Sequence, residues 1–188
     1  MRTPRVAAAD PDHVTLRHAT RTLVVGLAVF VVLGWVLDRP DAAPAGLFSV
    51  FCLGAQADFV GTPRRRAQRY LLVGTVSVLM IPLGAGLEDW PVAVVALTGA
   101  VVFTTMFLAA LGGPFYAARF PIVVALLLSV TTESSADLVA ARTVGWLCGT
   151  LAITVAALVL WPARAPSAVP ELTADVCRRA ARMLRDPA

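Results

Sequence analysis

Apolar residues come in long blocks along this chain, and the polar ones gather in short gaps between them. The blocks run over Leu23–Leu37, Ala43–Asp58, Arg69–Gly86, Val92–Leu111, Ala117–Val130 and Ala141–Trp161. Several hold about 18 or more nearly uncharged residues, the length a helix needs to cross ~30 Å of hydrocarbon. The second is short for a span. Apolar residues surround each predicted helix rather than forming one stripe, so an amphipathic soluble bundle fits poorly. The pattern predicts an all-α integral membrane protein with six transmembrane helices.

The gaps carry turn and interface signals. Asp38-Arg39-Pro40-Asp41 and Glu88-Asp89-Trp90-Pro91 are acidic turns, Gly112-Gly113-Pro114 is a helix breaker, and Thr131–Leu138 holds Glu133 and Asp137. Trp35, Trp90 and Trp161 stand near segment ends, where indoles meet the headgroup layer. Pro82 falls inside the third span, which membrane helices tolerate when neighbours satisfy the freed carbonyl. The division predicted is an arm at 1–22, a membrane domain at 23–162 and a tail at 163–188. In that tail Pro170-Glu171 opens a short helix with Leu172, Val176, Ala180 and Leu184 on one face.

Composition agrees. The 188 residues are 58% apolar and 15% charged, with a mean hydropathy of +0.77. All sixteen basic residues are arginine, and they cluster at segment ends, so the net charge of +4 reads as topology rather than nucleic-acid binding. Six spans with both termini cytoplasmic put fourteen arginines inside and two, Arg39 and Arg142, outside. The lipid bilayer is thus the first partner. Cys52, Cys148 and Cys177 show neither metal-ligand spacing nor a disulfide framework. No hydrolase, kinase, dinucleotide or P-loop pattern occurs, so neither an enzyme, a metal site nor a cofactor is expected.

At an offset of 75 residues, Val73-Gly74-Thr75 falls on Cys148-Gly149-Thr150, and Asp58 on Glu133. Three spans separate the copies, so the halves would be inverted, a 3+3 arrangement common in transporters. Gly74, Gly145 and Gly149 are read as helix-packing positions, the last two in small-xxx-small spacing and a possible dimer contact.

Ionisable groups at or in spans are functional candidates by default. Asp58, beside several arginines, either relays a proton or gates an anion path, or it caps a helix or pairs with Arg65 or Arg69. Glu133 has the same two readings on the other side. Arg21, Arg69 and Arg142 each stand where a span begins, placed either to hold a carboxylate by paired hydrogen bonds or to snorkel to headgroups. A partner such as Glu133 or Asp137 suits Arg142, the exception on the outer side. Arg64, Arg65 and Arg66 read as a cytoplasmic basic rim.

The stretch Asp58-Phe-Val-Gly-Thr-Pro-Arg-Arg-Arg-Ala-Gln-Arg69-Tyr-Leu-Leu-Val-Gly74-Thr75 resembles the fusaric acid resistance (FUSC) family of aromatic acid exporters. Arg142-Thr-Val-Gly-Trp-Leu-Cys-Gly149-Thr150, closing in Leu160-Trp161-Pro162, is similar to that family's last span, and Arg21 before Leu23 fits its first. The likeness covers residues 17–165. It implies a bacterial inner-membrane efflux module for aromatic or other organic carboxylates, driven by the proton gradient. A related branch of plant anion channels works as dimers, so a homo-oligomer is implied as well. Family members carry a large cytosolic helical domain after the sixth span, of which only 170–184 would be the start here. The matching site positions are Asp58, Arg65, Arg66, Arg69 and Arg142; on the exporter reading Asp58 is the candidate proton-coupling or gating group and Arg69 the candidate anion contact. Two other readings stand beside this one: a passive organic-anion channel, and a non-transporting scaffold that holds a partner through the tail.

Overall fold

Where proline or glycine punctuates the sequence, helices begin and end. In the computed structural model, which describes residues 14–56, 59, 62–132 and 135–159, six α-helices follow one another. They are α1 (Val14–Val31), α2 (Ala43–Ala55), α3 (Pro63–Ala85), α4 (Pro91–Ala109), α5 (Gly113–Val130) and α6 (Ala136–Val159). A π-helical turn, Val32–Val36, extends α1. Prolines sit in the first turn of α2, α3, α4 and α5, where the missing N–H breaks no helix bond. Between α4 and α5, Gly112 and Gly113 both have positive φ (75° and 56°), a reversal only glycine makes without strain.

Five of these helices are long and apolar enough to cross a membrane. The exception is α2, whose 13 residues span about 20 Å at 1.5 Å per residue. Several boundaries differ from the hydropathy pattern. Helix α1 starts at Val14 rather than Leu23, α3 at Pro63 rather than Arg69, and α6 at Ala136 rather than Ala141. Hydropathy marks where hydrocarbon begins, whereas the helix hydrogen-bond ladder continues into the polar zone until a breaker stops it. The run Arg64-Arg65-Arg66 is accordingly the first turn of α3 and not a loop.

The packing centre is α6. It lies on α2, α3 and, less closely, α1; α3 also packs on α5, α1 on α2, and α4 on α5. Small residues set these distances. A Cβ on Gly145 would overlap the Ala42 carbonyl oxygen, and one on Gly149 the Gly46 carbonyl oxygen, so α2 and α6 run parallel with backbones in contact. A Cβ on Gly54 would come within 2.6 Å of Thr22 Oγ1, and one on Gly26 within 2.9 Å of Leu47 Cδ1, so α1 runs antiparallel along α2. Gly74 of α3 faces Thr150 of α6, and a Cβ there would overlap Thr150 Cγ2. Close backbone approach maximises dispersion contacts where no hydrophobic drive separates helix from lipid. The sequence reading of Gly74, Gly145 and Gly149 as packing positions matches this geometry.

Hydroxyls tie the same seams. Ser49 Oγ donates 3.0 Å to the Trp146 carbonyl and lies 3.0 Å from Thr150 Oγ1; Ser129 donates from α5 to the Ile81 carbonyl of α3. The fully buried side chains Trp146, Tyr70, Phe59, Leu53, Leu126 and Ile153 fill the interior. Outside, α4 touches only α5 closely and leaves Val92, Val95, Phe103 and Phe107 largely exposed. A helix apolar on all sides and covered on one suits hydrocarbon surroundings.

Candidate functional site

Three arginines are drawn into the bundle, and helix register decides which. On α3, residues 66, 70, 73, 77 and 81 share the inward face, so Arg66 is buried (3% exposed) while Arg64 and Arg65 stay exposed. Arg66 therefore leaves the basic rim to which its position in the run assigned it. Its Nε and Nη2 have no hydrogen-bond partner among the described residues. Tyr70, one turn further along α3, packs edge to face with Phe59, the ring centroids 4.9 Å apart.

Arg21 is equally buried (3% exposed). Because α1 begins at Val14, it sits two turns into the helix rather than where the span begins. Its Nη2 lies 3.5 Å from His18 Nδ1, and its Nε has no partner among the described residues. Arg142 lies in the second turn of α6, half-buried, with Nη1 enclosed and without a hydrogen-bond partner among the described residues. Arg69 is half-buried and takes part in interactions of its own. Asp58, Glu133, the arm before Val14 and the tail after Val159 lie outside the described residues.

Arg66 and Arg142 occupy opposite ends of the bundle. The α3–α6 pair is antiparallel: Gly74 meets Thr150 midway, Ile81 clusters with Trp146, and Tyr70 with Ala156 and Ala157. Each arginine stands eight residues before that midway contact on its own helix. At 1.5 Å per residue the two lie about 12 Å on either side of it. Removing a guanidinium from water without a counter-charge carries a penalty of several kcal/mol, and such groups persist where an anion or carboxylate answers them.

At the Arg142 end a cavity of about 270 Å³ opens between the start of α2, the ends of α3 and α5, and the first turns of α6. Its floor is Ala45, Ile81, Ser129 and Trp146, all buried; Asp41, Phe48 and Thr132 stand exposed on the rim. Trp146 is fully buried, and its indole Nε1–H has no acceptor among the described residues. The sequence reading missed Trp146 and Ser129. Indole among apolar residues signals packing, and a sequence does not say whether its N–H meets an acceptor. At the opposite end Arg119 stacks over Tyr116, 3.6 Å from the ring centroid, a cation–π contact outside the buried set.

No group of three or more His, Cys, Asp or Glu side chains able to hold a metal occurs among the described residues. What the arrangement offers chemically is hydrogen-bond donation and positive charge within an apolar bundle. No protein-family model, curated protein or solved structure matches the chain.

Proposed function

We propose that this chain is a multi-pass inner-membrane module that moves small organic carboxylates, an efflux permease and not an enzyme. The observation that carries the reading is the burial of guanidinium nitrogens of Arg66 and Arg142 at opposite ends of one apolar bundle, without an acidic partner among the described residues. Fixed positive groups at two depths stabilise an anion as it leaves water, and they repel cations.

Six spans suit the packing better than five. Helix α2 lies along α1 from Thr22 to Gly34, which supports counting it, despite its length, as a sixth and short pass. Arg64 and Arg65 then face the cytoplasm with both termini. The pairing of helices also supports a 3+3 inverted repeat. Exchanging α1 with α4, α2 with α5 and α3 with α6 turns the α1–α2 contact into α4–α5 and α2–α6 into α3–α5, and leaves α3–α6 unchanged. Transporters of this design place their sites at the repeat interface, here the α3–α6 crossing. Asp58 is the proposed proton-coupling group and Arg69 the proposed anion contact. The module works as a homo-oligomer of the kind that the resemblance to the fusaric acid resistance family implies.

Flux of labelled benzoate in proteoliposomes of the purified chain tests this. Movement driven by a pH gradient and lost in Asp58→Asn supports a coupled permease. Movement that follows the anion gradient alone would make the protein a channel, and no movement of any anion would leave a scaffold.

A further inference from the structure

We propose that the cavity at the Arg142 end takes a small zwitterion, an aliphatic α-amino acid, with its ammonium group at Asp41 and its carboxylate at Arg142. This goes beyond the organic-anion reading: the ligand carries no net charge, and the residue that defines its class is an acid.

Asp41 and Arg142 both line the cavity, and the fold holds them close. Asp41 precedes Ala42, whose carbonyl abuts Gly145 so tightly that a Cβ there would overlap it. Arg142 stands three residues before Gly145, one turn further out along α6. The two charges are neighbours across the mouth, yet they do not pair with each other. Opposite charges kept apart on the walls of one cavity leave a gap that a ligand bearing both charges fills. Such a ligand also brings no net charge into the apolar bundle, where an unanswered charge is costly. Arg142 Nη1 is closed off, so Nε and Nη2 are the nitrogens left to a carboxylate. The lining hydroxyl of Ser129 points to the ammonium end. It gives its hydrogen to the Ile81 carbonyl, so only its lone pairs remain for a ligand. An ammonium, with three N–H donors, uses those lone pairs and the Asp41 carboxylate, whereas a plain carboxylate is repelled by both. Ala45, Leu128 and the Trp146 ring supply an apolar wall for the side chain. At about 270 Å³ the space is at the small end of ligand pockets, which start near ~300 Å³, and suits one amino acid.

The test is calorimetric titration of the full chain, in phosphatidylcholine nanodiscs, with leucine and two analogues of the same shape. Isocaproate keeps only the negative charge of leucine, and isoamylamine only the positive one. Saturable leucine binding at one site per chain is expected, with both analogues at least about ten-fold weaker. Asp41→Asn should weaken leucine about ten-fold and leave isocaproate unchanged or tighter. Arg142→Gln should weaken leucine to a similar degree and leave isoamylamine unchanged or tighter. Circular dichroism and gel filtration of each variant confirm that it folds. Absence of leucine binding to the parent chain, or parent-level leucine affinity in either folded variant, would overturn the proposal. Isocaproate bound as tightly as leucine would also overturn it, because the cavity would then be a site for plain anions. Flux of benzoate without leucine binding would remove this site and leave the transport reading standing; leucine binding without flux of any anion would do the reverse.

Discussion

Gly145 of α6 lies so close to Ala42, at the start of α2, that a methyl group on it would occupy the space of the Ala42 carbonyl oxygen. The obstacle is backbone and cannot rotate away. Gly145→Ala should therefore destabilise the folded bundle by about 1–3 kcal/mol, the range for forced overpacking. Thermal unfolding in detergent, followed by circular dichroism, measures it. Gly99→Ala on α4, where an added Cβ meets nothing within 4 Å, is the control and should be neutral or slightly stabilising.

Gly74 meets a side chain rather than backbone, and this predicts a different outcome. Gly74→Ala clashes with Thr150 Cγ2, and Thr150→Ser removes that methyl while keeping the hydroxyl that lies 3.0 Å from Ser49. The double variant should recover part of the stability lost by Gly74→Ala alone, because Thr150 Oγ1, 2.8 Å from the added Cβ, remains in serine. Simple additivity of the two changes would mean that the α3–α6 crossing is placed differently.

Ser49 ties α2 to α6 through two contacts, the Trp146 carbonyl and the Thr150 hydroxyl. Ser49→Ala should cost about 1 kcal/mol, and a double-mutant cycle with Thr150→Val should return a coupling of about 0.6 kcal/mol, the average for membrane interiors.

On α4, Val92, Val95 and Phe103 are more than two-thirds exposed. If hydrocarbon surrounds them, spin labels on cysteines placed at Val95 and Phe103 should collide readily with dissolved oxygen and little with a polar nickel complex. A label at Arg64 or Arg65 should show the opposite. Equal access of the nickel complex to all these positions would contradict the membrane placement of α4.

Much of this architecture is legible in the residue pattern, for identifiable reasons. Apolar blocks separated by breaks such as Asp-Arg-Pro-Asp, Glu-Asp-Trp-Pro and Gly-Gly-Pro give six helices in the right order among the described residues, because breaker chemistry is local. The packing roles of Gly74, Gly145 and Gly149 are legible for the same reason. Their partners are not: Ala42, Gly46 and Ser49 repeat small residues at helical spacing, but a sequence does not say which helix lies opposite. The burial of Arg66 depends on α3 starting at Pro63. Proline at a first helical position, followed by Tyr70, Val73 and Ser77 on one face, was the available signal, and it was masked by the charge of its neighbours Arg64 and Arg65. Trp146 became a candidate only through a cavity built by four helices.

The central claim is that arginines with buried guanidinium nitrogens at both ends of the bundle carry an organic anion across. Its most direct test is efflux of labelled benzoate from proteoliposomes holding the parent chain, Arg66→Gln or Arg142→Gln. The account predicts pH-gradient-dependent efflux by the parent, reduced at least about ten-fold in each variant, as expected when a charge-assisted contact is lost at either end. Parent-level efflux in both folded variants would contradict it.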